Sequence, residues 1–262
     1  MIGRIAHIKE LRLALLAQVA SNFPDISPPS HFNLLISGFA TLMVRFVIMT
    51  ERLQSIRPRL EELSRLDPDC LLGCGTDYEL EPPLSEAQVL AFEGEHGVVL
   101  PTDYRRFLLE VGSAGVGPGY GLNPLGDMQH LNREKLPANF LAAPFPLIES
   151  FPEDSDSDES KSEDTSLDKW VTGAFCLSHW GCGMYDLLVV SGVERGHIWM
   201  DDRTNDAGVF PVAPNREHFG ESQEEVFVFT AAEGEERTRF LDWYEWWLDW
   251  CFEEVKSLYE DE

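Results

Sequence analysis

Positive charge is what this chain has least of. Its 262 residues carry 20 Lys and Arg against 46 Asp and Glu, a formal net charge of −26. A field of that sign repels nucleic acid and anionic lipid, so neither is expected as a partner. It favours a basic protein partner, although solubility or a salt-rich habitat would select the same composition. Cysteines are few and unpaired in pattern: Cys70, Cys74, Cys176, Cys182 and Cys251 are an odd number with no C-x-x-C. That argues against a disulfide framework and for a reducing, cytoplasmic setting. Catalytic signatures are missing too. The chain has neither a G-x-S-x-G elbow nor H-E-x-x-H, the motifs that expose a nucleophile or seat a zinc. His179 and Cys182 form an H-x-x-C with no second pair at ligand spacing, so no metal is expected. The glycine-rich stretch Gly115–Gly121 follows a helical pattern rather than a strand and lacks a Lys-Ser/Thr. It is therefore not expected to cradle phosphate, and no cofactor is expected.

The remaining composition describes a globule. Hydrophobic residues make up 44% and aromatics 11%, enough for a core of ordinary size. Charge divides the chain unevenly. Residues 1–75 hold 8 basic against 7 acidic side chains, and the other 187 hold 12 against 39. Asp67-Pro68, Gly73 and Gly75 mark a break, which predicts a helical extension over 1–75 and an α+β domain over 76–262. Within the extension, Met1–Ala20 resembles a signal peptide superficially, but Glu10 abuts a minimal apolar run and Gln18 suits cleavage poorly. An amphipathic helix is the expected form. Phe32–Thr50 is long enough to span a bilayer, yet it contains Arg45, and an interior Arg costs about 3 kcal/mol on insertion. A buried or partner-covered helix is expected instead, with no membrane span.

Helix signals open the second region. Ser85 and Gln88 have capping-box spacing, and Leu84 with Val89 the spacing of a hydrophobic staple, which predicts a helix over Leu84–Gly94. Tyr104, Phe107, Leu108 and Val111 repeat at i, i+3, i+4, i+7 after Pro101, giving a second helix with one buried face that stops at Gly112. Residues 149–168 hold nine acidic residues and one Lys with almost no apolar content, an acidic flexible insertion. Short apolar runs then predict strands ending at Phe175-Cys176-Leu177, over Tyr185–Val190 and over Gly196–Met200. A hairpin connection is expected at Ser191–Gly196, and a bulge or tight turn at Gly181–Gly183. Glu225–Thr230 alternates like a strand, and Arg237–Tyr259 reads as a helix whose Phe240, Trp243, Tyr244, Trp246, Trp247 and Trp250 occupy more than one face, as in a helix covered on two sides.

Two segments carry a family resemblance. Leu84–Gly112 reads L-S-E-x-x-V-x-x-F-E-x-x-H-G-V-x-L-P-x-D-Y-R-x-F-L-L-x-x-G, and Leu187–Val212 contains L-L-V-V-S-G-x-x-x-G-x-I-W-x-D-D-R followed by G-V-F-P-V. In this order, and with the aromatic C-terminal helix, they resemble the SUKH superfamily over roughly residues 76–260. That group includes the yeast Smi and Knr cell-wall regulators and many bacterial immunity proteins. The resemblance implies an α+β fold: N-terminal helices, a central mainly antiparallel sheet, and a C-terminal aromatic helix packed on it. It also implies a protein-binding role without catalysis, either neutralising a toxin with a basic surface or serving as a regulatory scaffold. On this reading Glu194, Asp201 and Asp202 form an exposed acidic patch with Trp180 beside it, meeting Arg or Lys of the partner. A turn with a local ion pair is the plainer account of Asp201-Asp202-Arg203. An enzyme would have to draw on His179, Cys182, His197, Asp201 and Asp202.

Overall fold

The structure, a computed structural model, describes residues 30–73, 76–128, 131, 136–151, 169–213 and 237–259, with side chains in the first helix described from residue 42 onward. The helix expected before residue 20, the acidic insertion beyond residue 151 and the strand expected at Glu225–Thr230 lie outside these residues. Packing divides the chain into two compact units, Met1–Ser55 and Ile56–Glu262.

Helix α1, Ser30–Leu66, belongs to both units. Pro58 lies inside it and cannot donate to the carbonyl of Gln54, so one rung of the helix is lost close to the division between the units. In the first unit Val44 and Leu53 are buried, while Leu42, Met43, Phe46 and Val47 are exposed. Among the described residues no helix is long and apolar enough to cross a membrane.

The second unit opens with two short helices. In α2, Glu86–His96, the Ser85 hydroxyl accepts from Gln88 N–H and the Gln88 side chain accepts from Ser85 N–H, the capping box expected. The helix runs on to Gly97, whose φ of 65° ends it in the left-handed conformation. Helix α3, Thr102–Glu110, buries Tyr104, Phe107 and Leu108, and Val111 after it is buried as well. The helix stops just before Gly112, as expected, and Gly112 N–H donates back to Phe107 C=O. A Cβ there would fall 2.8 Å from the Leu80 Cβ, so glycine is needed because residues 80–81 pack against that backbone.

Strands β1 (Ala174–Gly181), β2 (Met184–Val189), β3 (Ile198–Asp202) and β4 (Gly208–Pro211) form an antiparallel meander in sequence order. β1 runs four residues beyond the expected Leu177. Two bulges, at Cys176/Ser178 and His179/Gly181, let it do so before the turn at Cys182-Gly183. The β2–β3 connection is the one anticipated, with Gly196 N–H donating to Val189 C=O.

Helix α4, Phe240–Tyr259, closes the unit over the sheet and helices. Phe240 sits 4.7 Å from Tyr104 and 5.0 Å from Phe107, and Tyr244 is 5.0 Å from Phe107 and 5.5 Å from Trp247 by ring centroids. Phe175 of β1 joins this cluster through Tyr104 at 5.8 Å. Trp199 of β3 is covered by Phe145 at 4.9 Å. The buried residues of α4 span most of its circumference, in keeping with the spread of aromatics in the sequence. Asp103 links α3 to α4, since its carboxylate accepts from Leu241 N–H at the start of α4. Burial raises the Asp103 pKa, while that bond and the charge of Arg239 oppose the shift.

Because Phe240 touches Tyr104 and Phe107 of α3 and Trp243 and Tyr244 in the next turn of α4, Phe240→Ala should cost about 3–5 kcal/mol, measured by urea unfolding of the full chain.

Candidate partner-binding surface

The three carboxylates expected to face a partner are turned inward. Glu194, Asp201 and Asp202 are 8%, 5% and 4% exposed, which corrects the expected exposed acidic patch. Each is consumed by neighbours. Glu194 accepts from Trp199 Nε1 at 3.3 Å, lies 3.1 Å from His197 Nδ1, and has Arg237 at 3.8 Å. Asp201 binds Arg203 through two contacts of 2.7 and 2.6 Å, the local ion pair that the D-D-R order suggested. Asp202 accepts from Asn205. Burial raises its pKa, Asn205 opposes the shift, and the adjacent Asp201 adds to it. Side chains held this way gain little from a second partner, because breaking a buried pair exposes its desolvation cost.

Trp180 is half-buried, and its indole donates to Asp186 at 2.6 Å. Trp243 of α4 donates to the same carboxylate oxygen at 2.9 Å. Asp186 is fully buried, so these two N–H groups give a carboxylate inside the core the donors it requires.

Strand alternation sends the neighbour of Asp186, Tyr185, to the other face. There its ring stacks on His179 with centroids 4.8 Å apart and 18° between planes. Tyr120 meets His179 edge-on at 5.6 Å and is itself 65% exposed. The glycine-rich loop delivers Tyr120: Tyr120 N–H donates to His179 C=O at 2.8 Å, Asn123 N–H to Leu177 C=O at 2.7 Å, and the Ser178 hydroxyl to Pro118 C=O. Gly119 adopts φ 62° with its Cβ position 2.6 Å from the His179 carbonyl oxygen, so a side chain would push the loop off β1. Beneath the tip, Asn205 donates to Cys182 C=O, and Thr204 fills the space that a Cβ on Gly183 would need. The result is a rigid platform of Tyr120, His179 and Tyr185 with the exposed Cys182 at its rim. Amphipathic rings held in place lose little entropy on contact, which is why they anchor protein interfaces. Sequence reading considered His179 only as a possible catalytic or metal-binding group and did not single out Tyr120 or Tyr185. An aromatic side chain embedded in G-V-G-P-G-Y-G was the available signal.

His197 lies at the far end of β2 from His179, whereas Asp201 pairs with Tyr185 beside His179 and Asn205 bridges Cys182 C=O and Asp202. A groove of about 480 Å³ opens elsewhere, between Arg57–Arg65 and Asp77–Leu80. Among the described residues no cluster of three His, Cys, Asp or Glu could hold a metal ion.

An antiparallel meander preceded by two helices and closed by an aromatic helix defines an α+β SUKH-type domain. The model of the SMI1 / KNR4 family (SUKH-1) matches residues 83–222, more than half of the chain, and the protein belongs to that family. No curated protein and no solved structure matched the chain.

Two outcomes follow from this geometry. Asp186→Ala orphans two indole donors and should cost about 1–3 kcal/mol for each, read from the urea midpoint. Burial pulls the His197 pKa below its usual 6.5 despite Glu194, so the folded state favours the neutral ring. Its stabilising contribution is complete above about pH 6.5 and is lost as pH falls toward the lower folded value. Unfolding midpoints across roughly pH 7.5 to 5 should therefore fall less steeply in His197→Asn than in the wild type.

Proposed function

We propose that this SUKH domain acts by binding another protein rather than by catalysis, and that the partner is a cognate toxin with a basic surface, occluded in the cytoplasm. Membership of the SMI1 / KNR4 family supports a binding role. The observation that carries it to a particular surface is the Tyr120–His179–Tyr185 platform, a fixed aromatic patch at the tip of the sheet. The net charge of −26 supplies long-range attraction for a basic partner, and the platform supplies the short-range contact. Trp180 backs the platform from the opposite face through Asp186. The buried Glu194, Asp201 and Asp202 act as struts.

The test is co-expression with the toxin encoded beside this gene. Rescue from killing, with a complex recovered on size exclusion, is the expected result. Equal killing with and without this protein, and no complex, would sink the toxin reading; several host proteins bound in place of a toxin would point to a regulatory scaffold. Tyr120→Ala and Tyr185→Ala should each weaken the complex by about 2 kcal/mol or more without moving the melting temperature of Tyr120→Ala, whose ring is mostly in water. The association rate should also fall by about an order of magnitude or more between low and high salt.

A further inference from the structure

The described arginines of this acidic protein differ in what they bind, and Arg57 and Arg65 donate to the carbonyls of Val111 and Glu61. Arg59, Arg105, Arg106 and Arg203 each pair with a carboxylate: Asp249, Glu86 with Glu93, Glu110, and Asp201. In a chain with more than twice as many acids as bases, that is the expected condition. Arg195, Arg237 and Arg239 are arranged otherwise. Arg195 is exposed and spends its guanidinium on the carbonyls of Val99 and Leu100, at 2.7 to 2.9 Å. Arg237 donates to Ile148 C=O, and its Nη1 is buried with no hydrogen-bond partner. Its nearest carboxylate is Glu194 at 3.8 Å, already engaged by His197 and Trp199. Arg239 is exposed and makes no ion pair within 4 Å among the described residues. Its charge acts on Asp103, buried under α4, and on His197.

These three side chains come together through the fold. Arg239 bridges to His197 across the sheet margin, and Ile198 N–H donates to Thr238 C=O. The Arg239 guanidinium reaches within 3.1 Å of the Cβ position of Gly196, one residue from Arg195. The β2–β3 hairpin, the α2–α3 connection and the start of α4 thus present one basic island. Two apolar side chains flank it: Val193 at the hairpin tip, 83% exposed, and Val99, 66% exposed. In an antiparallel meander this hairpin lies at the opposite end of β2 from the Tyr120 platform, about 20 Å away.

We infer that this island is a second docking surface, one that takes a short acidic segment of a partner protein carrying apolar residues among its carboxylates. Arg239 presents a planar donor pair that fits a carboxylate bidentately, and Arg195, with Nε and Nη2 held by carbonyls, has Nη1 left for a second contact; Arg237 adds charge from beneath. The exposed valines supply the apolar half of the contact. A long polyanion such as nucleic acid fits poorly, because the net charge of −26 repels whatever extends beyond the island. A short segment touches the island alone. The inference is independent of the toxin reading, since it uses a different face and a partner of opposite charge.

The full chain is titrated against a fluorescein-labelled peptide of Glu-Glu-Leu repeats, followed by anisotropy, beside a Gln-Gln-Leu peptide and a single-stranded oligonucleotide. Saturable binding of the Glu peptide alone is expected, weakened about tenfold or more by Arg195→Glu/Arg239→Glu. Arg239→Glu alone, at a side chain with no hydrogen bond to lose among the described residues, should weaken it in the same direction while the chain still unfolds cooperatively on heating. Arg195→Lys/Arg239→Lys should retain part of the affinity. Absence of saturable binding by the Glu peptide overturns the inference. So does binding that neither charge reversal alters, or oligonucleotide binding as tight as that of the acidic peptide.

Discussion

One fully buried carboxylate joins the sheet to the helix that covers it. Asp186, in the middle of β2, accepts the indole N–H of Trp180 from β1 and of Trp243 from α4. A charge in that position is costly unless it is fully satisfied, and two rigid donors aimed at the same oxygen satisfy it with directional bonds. The aromatic packing around Phe240, Tyr244 and Phe175 stabilises the unit without specifying direction. Asp186 specifies it, since α4 can settle on the sheet only where Trp243 reaches that oxygen.

This anchoring fixes the register of β2 and therefore which of its residues face outward. With Asp186 turned toward α4, Tyr185 must turn away, where it stacks on His179 and meets Tyr120. At the other end of the same strand, the β2–β3 connection carries Arg195 toward Arg239 at the start of α4. Two surfaces of different chemistry, one aromatic and one basic, thus arise at opposite ends of a single ordered strand.

Local signals were legible wherever the physics is local. Capping-box spacing gave α2, the i, i+3, i+4, i+7 repeat gave the buried face of α3, and the aromatic crowding of Arg237–Tyr259 gave a helix covered on more than one side. Each depends on residues within one or two turns. The length of β1 was not legible, because bulges at Cys176/Ser178 and His179/Gly181 absorb residues that break strict alternation. The packing constraint on Gly112 was hidden for a related reason: it comes from the Leu80 side chain, more than thirty positions away in sequence.

The sequence by itself determined the family, the α+β class, the helices and the overwhelming negative charge, because composition and short-range periodicity carry that information. The site was a tertiary decision. Glu194, Asp201 and Asp202 look like surface charges in a linear reading, but Trp199, Arg203 and Asn205 close over them in the fold. Tyr120, His179 and Tyr185 come from two segments some sixty residues apart, and Arg195 and Arg239 meet only because α4 begins beside the hairpin. Burial and proximity depend on which distant residues become neighbours, and side-chain chemistry alone does not encode that.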